Sequence, residues 1–395
     1  MKRWIGVALW ACSAMAHAVE FQPLVHIDMR GGYGAVVSED EGSAQGVGSL
    51  FAVPALKLSP SWTLLPTLYA NATGQERSIE EDTLFVRTAL MGFRPTLKLA
   101  TAPDSAWIFR LDARKSLNVE AVNESFGTGL YDYEDFSAGV SWQHPLLDLP
   151  VELSLDTDHR DYPNYRQLGS ELTGDKNSAI KDYNGLRGGL KVALPPWGQL
   201  RLSSQWKDYT DAYIVNAVDG TVDTNDPGQL QHDLYSTADL EGGLKWGEQA
   251  SVSWGLGWQW NSSNQNSFDP DHTDVAGDNA NLVKSQDYMV WSLDLSTEWQ
   301  SQGGFKVSGG YSLLLRDSNR PVQDINGVYQ SALIADTENG LNLNLSQSLG
   351  KGFSLVGSAS DRWVISNQVY QAAGLPNYSF YSVNAGIAWD WQAQE

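Results

Sequence analysis

The sequence predicts an all-β protein whose chain forms a closed antiparallel barrel of about 16 strands, with short turns at one end and long loops at the other. Three observations predict it. Apolar and polar residues alternate with a period of two along most of the 395-residue chain. The breaks between the alternating segments are short and long in turn. Many of the 16 tryptophans stand beside the short breaks.

The alternation is clearest in residues 250–266, ASVSWGLGWQWNSSNQN. Large residues occupy every second position there, and three of them are Trp254, Trp258 and Trp260, whereas small or polar residues stand between them. Side chains of a strand point alternately to its two faces, so this period predicts a β-strand. Strong segments of the same kind lie at 105–114, 134–142, 151–158, 199–207, 233–246, 289–299, 305–315, 341–349 and 381–391. Weaker strands are predicted near 24–34, 46–58, 62–70, 83–98, 183–194 and 353–360.

The breaks between these segments differ in length in a regular way. Short breaks are predicted at 59–61, 101–105, 144–150, 195–198, 247–249, 300–304 and 350–352. Long polar breaks lie between them, for example at 158–182, 208–232, 262–286 and 317–339. A regular succession of short and long connections is typical of antiparallel hairpins that close into one barrel with two unlike ends.

The tryptophans indicate the surroundings of the outer face. Those nearest to the short breaks are Trp62, Trp107, Trp142, Trp197, Trp246 and Trp299, with Trp389 and Trp391 at the chain end. Amphipathic rings collect where hydrocarbon meets lipid headgroups, so these residues predict a belt around one end of a transmembrane barrel. The face of Trp254, Trp258 and Trp260 then contacts lipid. A soluble β-sandwich or barrel also alternates, but it would bury this face and does not account for the succession of break lengths.

The N-terminal segment, MKRWIGVALWACSAMAHA, predicts a secretory signal peptide over residues 1–18. Lys2 and Arg3 precede a short apolar run, and Ala16-His17-Ala18 fits the small-residue cleavage rule. A lipoprotein signal at Cys12 is the alternative. Residues 19–395 are expected to form a single transmembrane β-barrel domain without cysteine. Loss of the two cations changes the formal net charge of −21 to −23, and this acidity argues against nucleic acid as a partner.

The signal peptide, the alternating strands, the unlike ends and the aromatic-rich closing strand together resemble a bacterial outer-membrane β-barrel protein of the porin-like kind. The resemblance covers residues 19–395 and concerns the architecture, without indicating one family. It implies a location in the outer membrane of a bacterial cell, with short periplasmic turns and long extracellular loops. It also implies contact with outer-membrane lipid and lipopolysaccharide.

Catalytic and metal-binding motifs are weak in this sequence. None of His26, His144, His159, His232 and His272 stands at motif spacing from a serine, so we expect no enzyme activity and no cofactor. The segment 268–279 holds candidate calcium ligands, because hard cations bind several carboxylate oxygens. Its spacing is not that of an EF-hand, and a hydrated outer rim is the favoured interpretation. The candidate ligands are Asp269, Asp271, Asp274 and Asp278.

The polar face of the predicted strands carries many charges, which indicates a wide, water-filled lumen. The sequence predicts one basic wall and, opposite to it, one acidic wall. A closed lumen filled with salt bridges remains an alternative. The predicted lining residues are Arg110, Asp112, Arg114, Arg187, Lys191, Arg201 and Lys207 on the basic side, and Asp239, Glu241, Asp294 and Glu298 on the acidic side.

These features favour a porin-like outer-membrane channel for the passive passage of polar solutes or ions, narrowed by the long loops 158–182, 208–232 or 262–286. One alternative is a barrel dedicated to the export or assembly of a surface polysaccharide or another macromolecule. Another is a structural or adhesive barrel. The sequence leaves open whether the chain forms a homo-oligomer or works with secretion-system partners.

Overall fold

The computed structural model describes residues 20–22, 24–36, 42–79, 82–119, 129, 131–165, 180–214, 230–266, 284, 286–324, 327–368 and 377–392. The predicted signal peptide lies outside these residues, and so do most of the long loops and the candidate calcium ligands Asp269, Asp271, Asp274 and Asp278. In the described part of the chain, no helix is long and apolar enough to span a bilayer.

Strand segments make up nearly all of the described structure and belong to one sheet. Every pairing in the sheet is antiparallel. The segments are β1 (Glu20–Gln22), β2 (Leu24–Val36), β3 (Gly42–Ala52), β4 (Ala55–Lys57), β5 (Trp62–Ile79), β6 (Asp82–Ala102), β7 (Ser105–Val119), β8 (Tyr133–Leu146), β9 (Leu149–Asp161), β10 (Tyr183–Leu194), β11 (Gly198–Tyr213), β12 (Leu230–Trp246), β13 (Ala250–Ser263), β14 (Tyr288–Gln300), β15 (Phe305–Gln323), β16 (Tyr329–Gly350), β17 (Phe353–Ser366) and β18 (Tyr378–Gln392).

Two pairs of short segments each form one strand of the barrel. Both β3 and β4 pair with β5, while β1 pairs with β4 and β2 pairs with β3. Pro54 lies between β3 and β4, and proline cannot donate a backbone hydrogen bond to a sheet. The last segment, β18, pairs with β2, from Gln392 opposite Leu24 to Phe380 opposite Val36. The sheet is therefore a closed antiparallel barrel of 16 strands, which confirms the predicted fold class.

The seven predicted short breaks are the turns of one end of the barrel. Each connects two strands that pair directly. Between β8 and β9, for example, the pair nearest the turn is Leu146 opposite Leu149. Leu147 and Asp148 form that turn with positive φ angles of 51° and 65°. These are the angles of a type I′ hairpin turn, whose twist matches the right-handed twist of the strands. The first and last described residues, Glu20 and Gln392, lie at this same end.

The outer face of the barrel is apolar and exposed. Leu111, Leu155, Leu256, Leu295 and Leu343 form an aliphatic band near the middle of the strands, and each is between 43% and 51% exposed. Aromatic residues flank this band on both sides, as girdles flank the apolar band of transmembrane barrels. Exposed rings at the short-turn end are Trp107, Trp197, Trp246, Trp299 and Trp391, and those toward the loop end are Tyr33, Phe136, Trp206, Trp260, Trp291 and Tyr381.

The predicted long break at 317–339 is wrong, because most of it is strand. β15 continues to Gln323 and β16 begins at Tyr329, so the connection between them is short. Beyond the lipid, both faces of a strand meet water, and the alternation that marks membrane-spanning residues is lost there. Polar residues on both faces of 317–339 therefore indicated a loop where the structure has a hairpin that extends past the bilayer.

Candidate transport lumen

The inner face of the barrel carries the charges that the sequence placed there. On β7, Arg110, Asp112 and Arg114 alternate with the exposed outer residues Phe109 and Leu111. The same alternation places the other predicted lining residues inside: Arg187 and Lys191 on β10, Arg201 and Lys207 on β11, Asp239 and Glu241 on β12, and Asp294 and Glu298 on β14. Their role in transport stays a prediction.

Strands β6 to β10 carry a group of interlocked side chains, which we call the central cluster. All of its members except Asp135 line a cavity of about 380 Å³ on the inner wall. One end of the cluster is formed by Asp112, whose carboxylate accepts hydrogen bonds from Arg94 Nη2 at 2.7 Å and from the Tyr69 hydroxyl at 2.9 Å. These contacts tie β5, β6 and β7 together across the face of the lumen. The central cluster comprises Arg94, Arg110, Asp112, Arg114, Asp135, Asp156, Asp158, Arg160, Tyr183 and Arg187.

Asp135 holds two guanidinium groups of the central cluster. Its side chain is 1% exposed, and its Oδ2 accepts hydrogen bonds from Arg114 Nη2 and from Arg160 Nε, both at 3.0 Å. The guanidinium of Arg160 also lies 4.3 Å from the centre of the Tyr133 ring. A carboxylate buried between two cations is held by charge-assisted hydrogen bonds, which are among the strongest in proteins. Asp135 therefore fixes the positions of both arginines.

Two other carboxylates of the cluster lie flat against the wall. A Cβ atom added at Gly139 would overlap the carboxylate of Asp156, and one added at Gly185 would overlap that of Asp158. Each glycine faces the lumen opposite the aspartate, at a register position shared with it. The missing side chains leave room for the carboxylates, which therefore lie along the wall and project less into the lumen.

The predicted separation into a basic and an opposite acidic wall is wrong. Arg201 on β11 stands opposite Asp239 on β12. Its Nη1 donates a 2.9 Å hydrogen bond to Glu241, which also lies on β12. Glu298 Oε2 and Lys306 Nζ form an ion pair at 2.8 Å. The acidic strands β12 to β14 thus adjoin the basic strands directly. Half a circumference from β9 and β10 lie β17 and β18, whose inner residues include Ser358, Ser360, Ser382 and Asn384.

A second group of charges lies on β14 to β17, toward the loop end, and we call it the distal cluster. It lines a cavity of about 500 Å³. Arg362 and Glu338 form an ion pair at 2.5 Å, and the guanidinium of Arg316 lies 4.5 Å from the centre of the Tyr288 ring. This cluster was not predicted from the sequence, because the segment 317–339, which holds Arg320, Asp336 and Glu338, was expected to be a loop. The distal cluster comprises Tyr288, Arg316, Arg320, Asp336, Glu338 and Arg362.

Many inward side chains are open to solvent in spite of their position inside the barrel. The side chains of Arg94 and Arg201 are each 46% exposed, and those of Glu241 and Lys306 are 41% and 44% exposed. A packed interior would leave such groups with little contact with water. The space between the walls is therefore wide enough for water along the part of the barrel that the structure describes.

A serine and a histidine are in hydrogen-bonding contact among the described residues. Ser105 Oγ and His144 Nδ1 lie 2.6 Å apart at the short-turn end, where the imidazole stacks on Trp142. Within the described ranges no carboxylate is bonded to His144, so the pair lacks the third group that orients a catalytic histidine. The same ranges contain no group of three His, Cys, Asp or Glu side chains that could hold a metal ion.

Comparison with known proteins gives a likeness of overall shape. No family model matches the chain, and no curated protein matches it in sequence. Among solved structures, OccAB1 of Acinetobacter baumannii is similar with a TM-score of 0.46 and 9% identity, over 95% of this chain and 97% of that one. OpdO of Pseudomonas aeruginosa is similar with a TM-score of 0.45 and 10% identity, over 96% and 99%. A bacterial polysaccharide outer membrane secretin has a TM-score of 0.44 and 8% identity, over 93% and 98%.

The architecture is that of a bacterial outer-membrane β-barrel. The barrel is closed and antiparallel, has an even number of strands, and presents an exposed apolar band between two aromatic girdles. Such a surface is stable only where lipid covers it, because a soluble protein rarely exposes a continuous apolar surface of this extent. The predicted porin-like architecture and location in the bacterial outer membrane are therefore confirmed.

Proposed function

We propose that the protein is a porin-like channel through which polar solutes or ions pass passively. The observation that carries this proposal is the solvent exposure of charged side chains that point into a 16-stranded barrel, such as Arg201 and Glu241. Barrels of this strand number are wide enough to hold an aqueous channel. A solute would cross through the water of the lumen, past hydroxyl groups and ion pairs on the inner face, without a chemical step.

The inner face of β6 to β11, which includes the central cluster, would set the preference of the channel for charge. On β6 to β11, inward cations outnumber inward carboxylates. The cations are Arg94, Lys98, Arg110, Arg114, Arg160, Arg187, Lys191, Arg201 and Lys207, and the carboxylates are Asp112, Asp135, Glu152, Asp156 and Asp158. Fixed charges on a pore wall determine which ions enter it. This sector would therefore attract anions, while β12 to β14 beside it would attract cations.

Selectivity should change when cations are removed from this sector. Replacing Arg187, Lys191 and Arg201 together with serine should shift the reversal potential under a KCl gradient toward that of a cation-preferring pore. The shift should be largest near 0.1 M salt, where the screening length is about 10 Å, and small at 1 M, where it is about 3 Å. Replacing Ser203, Ser253 and Ser296 with alanine is the uncharged control. A triple serine variant with unchanged selectivity would exclude these residues as determinants.

Liposome swelling tests the proposal itself. Vesicles that contain the refolded protein should swell in isotonic solutions of small sugars, and more slowly as the sugar becomes larger. An export barrel for a polysaccharide, or a structural barrel, would leave the vesicles at the swelling rate of empty ones. The long loops predicted to narrow the lumen lie largely outside the described residues.

A further inference from the structure

The distal cluster contains a cation and an anion that face each other and do not bond. Arg316 on β15 and Asp336 on β16 are direct cross-strand partners, and both point into the lumen. Cβ atoms of such partners lie about 4.5–5.5 Å apart, close enough for an ion pair. Among the described residues, however, neither side chain takes part in any ion pair or hydrogen bond.

The central cluster shows what the same pair of residue types does elsewhere in this barrel. Arg114 on β7 and Asp135 on β8 are also direct cross-strand partners on the inner face. There the guanidinium reaches the carboxylate, with Nη2 and Oδ2 at 3.0 Å. A cross-strand arginine and aspartate can therefore bridge in this wall. Arg187 on β10 and its cross-strand partner Asp156 on β9 do not bridge, and Arg187 donates to Gln205 instead. An open pair such as Arg316 and Asp336 therefore points to a local cause, another partner that holds the arginine.

That cause is Tyr288 on the opposite side of Arg316. Tyr288 lies on β14, opposite Ser318 and diagonal to Arg316, and the guanidinium lies 4.5 Å from the centre of its ring. Arginine stacks readily on aromatic faces, and this attraction holds the guanidinium over β14, whereas Asp336 lies on β16. The stack leaves the edge of the guanidinium free, because its donors lie in the plane of the group.

We propose that Arg316 and Asp336 form a binding site for zwitterionic solutes, with a free α-amino acid as the simplest member of the class. The carboxylate of the solute would accept hydrogen bonds from Arg316, and its ammonium group would donate to Asp336. Arginine binds carboxylates with two parallel hydrogen bonds, which fixes the orientation of the solute. The inference rests on the proposed channel only for its biological use, since binding itself needs no conduction.

The surroundings of the pair favour a solute with both charges over a simple anion. Arg362 and Glu338 neutralise each other at the same cavity. Arg320 also lines the cavity, together with polar side chains such as Gln259 and Tyr378 and apolar ones such as Val290 and Leu314. Asp336 is therefore the group that distinguishes a zwitterion from a simple anion. A simple anion bound to Arg316 would face the carboxylate of Asp336, and the two negative charges would repel each other. The cavity volume of about 500 Å³ lies within the usual range of small-molecule sites.

Ligand-observed NMR with the refolded barrel in detergent tests the site, using glycine, acetate and ethylammonium as probes at neutral pH. Glycine should bind to the wild type, and acetate and ethylammonium should each bind at least about tenfold more weakly, since each lacks one charge-assisted hydrogen-bonding group. Asp336→Asn and Arg316→Gln should weaken glycine binding by a similar factor. Glu241→Gln, on β12 and outside the distal cavity, should leave it unchanged.

The decisive variant is Tyr288→Leu, which removes no charge. Without the ring, Arg316 should turn to Asp336 and close the pair, and glycine binding should fall as far as it does in Asp336→Asn. Equal binding of glycine and acetate would show a plain anion site and overturn the proposal. So would the absence of glycine binding, or full binding by Tyr288→Leu. Conduction without glycine binding would refute this site alone, whereas binding without conduction would refute the proposed channel alone.

Discussion

Replacing Leu256 with arginine is expected to prevent stable insertion of the barrel into a bilayer. Leu256 lies near the middle of β13, is 49% exposed and belongs to the aliphatic band of the outer face. A charged side chain facing lipid at that depth destabilises a barrel by about 2–4 kcal/mol. Reversible urea unfolding in phospholipid vesicles should show a loss of this size, together with a lower yield of the heat-modifiable folded form on gels.

Gln259→Arg is the matched control on the same strand. Gln259 has the opposite parity, stands opposite Thr237 on the inner face and lines the distal cavity. An arginine there would enter water, and we expect a change in the free energy of unfolding below about 1 kcal/mol. Equal losses in the two variants would show that β13 does not separate lipid from water in the way described.

Replacing Asp135 with asparagine should produce the largest loss of stability among changes to the inner face. The substitution keeps the shape of the side chain but removes the charge that holds Arg114 and Arg160, both at 3.0 Å. Removing one partner of a buried ion pair costs about 3–5 kcal/mol, because the remaining charge is left without compensation. The free energy of unfolding in urea should fall by about this amount.

Glu241→Gln gives the comparison for an exposed pair. The Glu241 side chain is 41% exposed and its ion pair with Arg201 is open to water, so the loss should stay below about 1 kcal/mol. If Asp135→Asn lowers the free energy of unfolding no more than Glu241→Gln does, the central cluster is more hydrated than its burial indicates. The double replacement of Arg114 and Arg160 with methionine should then also leave the free energy of unfolding nearly unchanged.

The outer face of this barrel could be predicted well from sequence, since lipid imposes a strict rule on every second residue. Trp254, Trp258 and Trp260 follow that rule, and so do the belt residues beside the short turns. The break lengths also predicted which strands pair, because neighbours in sequence are neighbours in the sheet. Where both faces meet water, as at 317–339, the rule has no force and the strands were missed.

For the inner face, the sequence could predict only which residues point inward. Parity placed Arg110, Arg187 and Arg201 inside, but it carries no information about which carboxylate each cation reaches. Arg94 was missed because residues 46–100 are apolar on both parities. Asp156 and Asp158 lie in the alternating segment 151–158, yet only the structure shows them folded over Gly139 and Gly185. Contacts between strands depend on register, and register was not available from alternation.

Single-channel recording in planar bilayers tests the central claim, a water-filled lumen that conducts, most directly. The wild-type protein, shown by gel mobility to be folded, should give stable unitary steps with an ohmic current–voltage relation. Their conductance should rise with the KCl concentration, as expected for ions moving through water between the walls. A folded barrel that inserts into the bilayer and stays silent from 0.1 M to 1 M KCl would contradict the account.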